Sequence, residues 1–330
     1  MSVMRLGYVH TRESDLDKAI GYYINVLGLE EVAEKDGKHY FKCWDEYDHH
    51  SLVVENGGLG LVKMGYKVAS PDELSHLEKA IENFGLPVTR VSAGENLGIG
   101  QAIRCTLPSE HVLELYAEAE QSGTRVGVLN PDPWPSDRPS GGIGPDRLDH
   151  LLVTAEDVQT NVDFFTRVLG FWMSERIIPS LDNEELLAAF LFCSNKAHDI
   201  AFVDHSEPNK FHHASFLLNS WEEILRASDI MGIHQIPIDI GPTRHGITRG
   251  QTVYFFDPSG NRNEVFCGDY TWYPDREPIT WDAEEIWETA CNLMTRTGAG
   301  LEPVRLLGVS ASNLHVTGNT AQLDLPFPAL

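Results

Sequence analysis

Cysteine is scarce in this chain. Its five residues, Cys43, Cys105, Cys193, Cys267 and Cys291, lie far apart with no CxxC pair. That spacing excludes a zinc ribbon and outlines no disulfide framework, so reduced, mostly buried thiols are expected. Positive charge is also scarce. The 25 Lys and Arg stand against 49 Asp and Glu, a formal net charge of −24, which argues against nucleic acid or anionic membrane as partners because both need a basic patch. No apolar run reaches the roughly 18 residues of a membrane span. The opening "MSVMRLGYVHTRESD" has no apolar signal-peptide core. The expectation is a cytoplasmic protein with no membrane partner.

What the chain does have is an internal repeat. "GYVHTRESDLDKAIGYYINVLGLEEV" begins as a short strand carrying His10, and a helical stretch follows that ends at Gly28. "RLDHLLVTAEDVQTNVDFFTRVLGFWM" repeats the plan with His150 and Gly170. Each glycine suits the left-handed position that closes a helix. The ends repeat as well. "LPSEHVLELYAE" (107–118) and "DPSGNRNEVFCG" (257–268) share Pro-Ser and place Glu114 and Glu264 at one distance beyond it.

Each half divides again into strand, helix and three strands. The predicted fold is α+β, with two repeated domains, each of two βαβββ modules curled into a cup-like mixed sheet. The expected division is residues 1–140, 141–275 and a C-terminal helix and tail over 276–330. Within that last part "ITWDAEEIWETACNLM" (279–294) reads as one acid-started amphipathic helix, with Ile286 and Trp287 on one side.

Glu264 poses a problem. In "VYFFDPSGNRNEVF" (253–266) it shares a strand face with Phe266, and an unpaired buried charge is costly. If opening strands of paired modules face one interior, His150 and one of His212 or His213 can meet Glu264 there. Two imidazoles and a carboxylate form the facial triad of non-haem Fe(II) oxygenases, which leaves positions open, and a divalent cation neutralises the glutamate. His212 and His213 point to opposite faces of a strand, so only one can serve. In the first half His10 and Glu114 correspond to His150 and Glu264, but Lys63 stands where His213 would. An ammonium has no lone pair for a metal, so the first half is read as metal-free.

The segments "GPTRHGITRGQTVYFFDPSGNRNEVFCGDY" (241–270), "RLDHLLV" (147–153), "NKAHDIAF" (195–202) and "FHHASF" (211–216) closely match one family. Over roughly residues 4 to 290 the chain resembles extradiol ring-cleavage dioxygenases of the catechol 2,3-dioxygenase type, in the vicinal-oxygen-chelate superfamily. The resemblance implies Fe(II) held by His150, His213 and Glu264, with His198, His245 and Tyr254 as catalytic residues. It implies a catechol-type substrate, O2 as co-substrate, and a homo-oligomer, commonly a tetramer. Arg249 departs from the His often found there in relatives, a change at the pocket mouth. Phe192, Trp172, Ile247, Phe256 and Phe266 are candidates for an aromatic-sized lining. The competing readings are a glyoxalase-like isomerase or thiol transferase, or a metal-free binding protein, on the same scaffold.

Overall fold

Alternating apolar strands and capped helices recur four times along the chain. The computed structural model describes residues 2–122, 141–207 and 209–296. Module one comprises β1 (Val3–Glu13), α1 (Leu16–Tyr22), β2 (Glu30–Lys35), β3 (Lys38–Lys42) and β4 (Leu52–Asn56). Module two comprises β5 (Gly60–Val68), α2 (Pro71–Phe84), β6 (Thr89–Val91), β7 (Ala102–Thr106) and β8 (Val112–Tyr116). Module three comprises β9 (Arg147–Ala155), α3 (Val158–Asp163), β10 (Trp172–Ile178), β11 (Ala188–Phe192) and β12 (Ile200–Asp204). Module four comprises β13 (Phe211–Leu217), α4 (Trp221–Ile233), β14 (Ile238–Arg244), β15 (Gln251–Phe256) and β16 (Arg262–Cys267). The chain continues through β17 (Ile279–Asp282) and α5 (Ala283–Arg296).

The helices start and stop where their sequences dictate. Ser70 and Ser220 each accept a bond from the N–H of the Glu three residues on, at 3.3 Å in both helices, the first half of a capping box. Both α1 and α3 widen into a π-type turn, at Tyr23–Leu27 and Phe164–Val168. Gly28 and Gly170 then take φ of 81° and 75°, which a side chain would make costly.

Strands run β2-β3-β4-β1-β5-β8-β7-β6 in one sheet and β14-β15-β16-β13-β9-β12-β11-β10-β17 in the other. In each sheet the opening strands of two modules therefore lie side by side, flanked by the last strands. One face of each sheet packs on the helices, in a core that includes residues of both halves. The opposite faces carry two smaller clusters, around Tyr8, Tyr40 and Tyr116 in the first half and around Leu152, Phe190 and Ala201 in the second.

The halves grip each other through their repeated Pro-Ser turns. Asn261 donates to the Arg12 carbonyl (3.0 Å) and accepts from the Gly60 N–H (2.9 Å), while Tyr23 donates to Asp257 (2.9 Å). In return the Ser109 N–H donates to Asn161 (3.3 Å), and His111 Nε2 meets the Lys210 carbonyl at 3.2 Å.

Two expectations need adjusting. Residues 279–282 are not helical: β17 pairs in parallel with β10, and the helix begins at Ala283. The Asp282 carboxylate accepts the Glu285 N–H at 3.0 Å and so marks the true start. The tail expected after the helix, from residue 297 on, lies outside the described residues. Cys43, Cys105, Cys193 and Cys267 are buried and unpaired, and Cys291 is half-buried.

Candidate metal centre and active site

Strand order alone places three of the predicted residues on adjacent strands. β13 lies antiparallel to β9 and parallel to β16, and Ser215 is opposite both His150 and Glu264. His213, two residues from Ser215, shares its face. The small serine leaves room over the row. There, ligating atoms of His150, His213 and Glu264 lie within 4.8 Å of one another. His150 Nε2 is 3.0 Å and His213 Nε2 3.3 Å from Glu264 Oε2. All three residues are buried, Glu264 to 1% exposure.

These groups suit a cation. Asp149 Oδ2 sits 2.9 Å from His150 Nδ1 and accepts its N–H, so a neutral His150 turns the Nε2 lone pair onto the carboxylate. Two lone pairs at that distance need a proton or a metal between them. His213 Nε2 is also buried, 3.3 Å from the same oxygen but without hydrogen-bond geometry to it. Burial pushes His150 down, yet bonds to Asp149 and Glu264 more than offset it and raise it to about 9. Burial pushes Glu264 up, but His150 and His213 hold it well below the usual carboxylate range. The cluster thus keeps one positive charge beside the carboxylate, a place a divalent ion fills more fully.

The other predicted residues line the same small cavity. Its walls are His150, His198, His213, His245, Tyr254 and Glu264, with Leu152, Phe190, Thr248 and Phe266. The His198 ring centre lies 3.9 Å from that of His150, with the two rings tilted by 45°. Burial, then the charges of His150 and Lys196, push it well down, leaving a neutral imidazole. His245 Nε2 lies 3.2 Å from the Tyr254 hydroxyl, and their rings are parallel within 11°. Burial and the Glu264 charge raise Tyr254 well above its ordinary value. The Arg262 guanidinium lies over the Tyr254 ring, 4.1 Å from its centre.

Of the lining candidates, Phe266 lines the cavity and Ile247 packs behind it with Leu152 and Phe190. Phe192 is buried outside the lining, and Trp172 and Phe256 are exposed, at 45% and 39%. Arg249 is also exposed, its guanidinium 5.2 Å from the Tyr270 ring.

Sequence reasoning missed Asp149, Thr252, Thr248, Leu152 and Phe190. The Thr252 hydroxyl bonds Glu264 Oε1, and its place two residues before Tyr254 on one strand face was a usable signal. Asp149 had none, because strand neighbours ordinarily face apart.

The first half keeps the frame and fills it differently, and one expected correspondence fails: Tyr8, paired with Gly65 as His150 is with Ser215, stands in the His150 place, while His10 matches Leu152. His10 lies opposite Lys63 in the sheet, and Lys63 Nζ is 3.0 Å from Glu114 Oε2. Arg104 and the Tyr8 hydroxyl bond the same carboxylate, at 2.7 Å each. Gly65 replaces Ser215, and a Cβ there would lie 2.0 Å from the Tyr8 ring. The Tyr8 side chain occupies the space that is cavity in the second half.

Comparison with known proteins agrees with this architecture. Residues 147–265 match the model of the Glyoxalase/Bleomycin resistance protein/Dioxygenase superfamily, and 63–120 match the catechol 2,3-dioxygenase-like N-terminal domain. A third model, the impB/mucB/samB family C-terminal domain, matches 274–325, mostly beyond the described residues. The chain is 43% identical to a metapyrocatechase of Pseudomonas sp. (strain CF600), over 86% of this chain and 92% of that protein. It is 31% identical to a manganese-dependent 2,3-dihydroxybiphenyl 1,2-dioxygenase of Geobacillus genomosp. 3, over 87% and 92%. The crystal structure of the 2,3-dioxygenase LapB from Pseudomonas sp. KL28 superposes with a TM-score of 0.83 at 44% identity, covering 86% of this chain and 99% of that one. With its four-module fold, its His-His-Glu cluster and these relatives, the chain belongs to the extradiol ring-cleavage dioxygenases of the vicinal-oxygen-chelate superfamily.

Proposed function

We propose that the protein cleaves catechol or a substituted catechol with O2 at the ring bond beside the diol, using Fe(II) held by His150, His213 and Glu264. The observation that carries this reading is the convergence of three buried ligand atoms in one cavity with His198, His245 and Tyr254. Bound there, the metal supplies a Lewis-acid anchor for the diol oxygens and a path for electrons from diol to dioxygen.

The chain's own residues do the rest. Leu152, Phe190 and Phe266 enclose the ring and exclude water. His198, kept neutral, accepts a proton from the bound diol and returns it later. The His245–Tyr254 pair holds a diol oxygen and orients it. Residues 141–275 form the catalytic domain in this reading, and residues 1–140 a metal-free scaffold whose Lys63 takes the place of a ligand.

The isomerase and transferase alternative is disfavoured, since such sites usually add a second carboxylate ligand and the cluster has one among the described residues. The manganese-dependent relative makes Mn(II) the second reading for the metal. Anaerobic loading with each ion, followed by catechol and air, tests both. Fe(II) should produce O2 uptake and a yellow ring-fission product. Equal or greater turnover with Mn(II) would replace iron, and absence of O2 uptake with either would overturn the assignment.

We also infer a cytoplasmic homo-oligomer, a tetramer. Exposed Leu225, Ile233, Ile238 and Trp287 offer apolar surface for subunit contacts. Among the described residues no helix is long and apolar enough to cross a membrane. Sedimentation equilibrium should give four chains, and a monomer would contradict the proposal.

A further inference from the structure

Glu175, on β10, is a buried acid outside the cluster just described. It is 1% exposed and belongs neither to the ligand set nor to the cavity lining. Its carboxylate accepts three donors. The Thr248 N–H donates to Oε1 at 2.8 Å, the Tyr270 hydroxyl donates to the same oxygen, and Trp281 Nε1 donates to Oε2 at 2.6 Å. An ionised carboxylate is acceptor-only and suits three converging donors.

The first donor belongs to the loop that joins β14 to β15 and carries His245. Thr248 and Arg249 both hold left-handed backbone, φ 57° and 55°, although neither is glycine. Such backbone is unfavourable unless its surroundings hold it. The His245 N–H bonds the Gly250 carbonyl at 2.8 Å and closes the loop's neck. His245 and Thr248 both reach the cavity. The other two donors lie in the chain between β16 and α5, which covers the loop from outside. Arg249 lies over the Tyr270 ring at 5.2 Å, and a Cβ at Gly246 would come within 3.2 Å of the Trp281 ring.

We propose that Glu175 is a positioning residue for the ring-cleavage reaction, fixing the Thr248 amide and through it His245, and that Tyr270 and Trp281 complete this support. The inference rests on the catechol-cleavage reading, and it makes the segment after the second half a support for the loop that carries His245. Glutamine keeps the shape but has one acceptor oxygen. Its NH2 faces either Trp281 Nε1 or the Thr248 and Tyr270 donors. In either orientation the charge-assisted bond to the Thr248 amide is lost or reduced to a neutral one about half as strong.

The test compares wild type with Glu175→Gln, His245→Asn and the double variant, each loaded with Fe(II), by steady-state O2 uptake on catechol. Glu175→Gln should lower kcat about tenfold with bound metal unchanged. In the double variant the loss should not exceed that of His245→Asn alone, since Glu175 acts through His245. Losses that multiply, or an unchanged kcat in a folded Glu175→Gln protein, overturn the proposal. Should Glu175→Gln not fold, Tyr270→Phe and Trp281→Phe remove single donors and carry the same comparison with His245→Asn. Hydrogen exchange at the Thr248 amide reads the anchor without turnover. Protection in wild type that drops at least tenfold in Glu175→Gln supports it, and equal protection refutes it. If wild type fails to cleave catechols, the functional reading falls while this exchange result still decides whether the anchor exists.

Discussion

Glu264 is a carboxylate at 1% exposure that two imidazoles and a threonine hydroxyl hold in its charged form. Changing it to glutamine removes the anionic member of the proposed ligand set, so metal analysis of Glu264→Gln should find well under one tenth of the wild-type content. Full retention would move the metal elsewhere. Tyr254→Phe keeps the ring contacts with His245 and Arg262 but deletes the hydroxyl. The kcat on catechol should fall by about 100-fold, within the range for one positioned acid–base group, with bound metal unchanged. Lys63 marks the opposite case. Lys63→Met leaves the buried Glu114 short of one of its cations. It should cost about 3 kcal/mol in urea unfolding and leave kcat on catechol as it was. At this scale the legible residues were those whose chemistry is odd for their place, such as a glutamate beside Phe266. His198 and His245 sit in ordinary loop and strand-edge sequence, and only likeness to a family marked them. Asp149 was hidden because its bond to His150 runs between chain neighbours.

The turn Asp257–Asn261 joins elements as well as strands. Asp257 Oδ1 accepts the N–H groups of Ser259, Gly260 and Asn261 at 2.8–2.9 Å, and Asn261 then reaches across to β1 and β5. Asn261→Ala should therefore cost about 2–3 kcal/mol of stability, since it strands buried partners. Calorimetry giving less than half of that would reduce the turn to a local feature. Beside it, burial and then the charge of Asp257 push Glu13 up to about 8 from 4.5. Folded Glu13 keeps its proton where the unfolded chain has already released it. Stability from this group is therefore greatest below about 4.5 and declines as pH climbs to about 8. The thermal midpoint of wild type should fall relative to Glu13→Gln across pH 5 to 8, and parallel curves would contradict the assignment. The repeated Pro-Ser turns were visible in the sequence, but their docking was not, because the contacts join residues from 52 to 249 positions apart. β17 was misread for a related reason. Ile279–Asp282 becomes strand by pairing with the edge of β10, a tertiary preference that overrides local helical pattern.

Two equivalent halves, one gripping each turn of the other, have diverged in their interiors. The first fills its cup with Tyr8, Lys63, Arg104 and Glu114, and the second leaves a cavity beside His150, His213 and Glu264. The repeat itself was legible because glycine-ended helices and Pro-Ser turns recur in order. The adjacency of β9, β13 and β16 followed from pairing the opening strands of the modules. Legibility stopped at the packing of the cup, where side-chain size decides between a filled interior and a site. The direct measurement is an anaerobic titration of metal-free protein with Fe(II), reading bound iron and O2 uptake on catechol together. One ion per chain, with activity rising to a plateau at one equivalent and absent in Glu264→Gln, is the predicted result. Ring opening by the metal-free protein, or a plateau at two ions per chain, would contradict it.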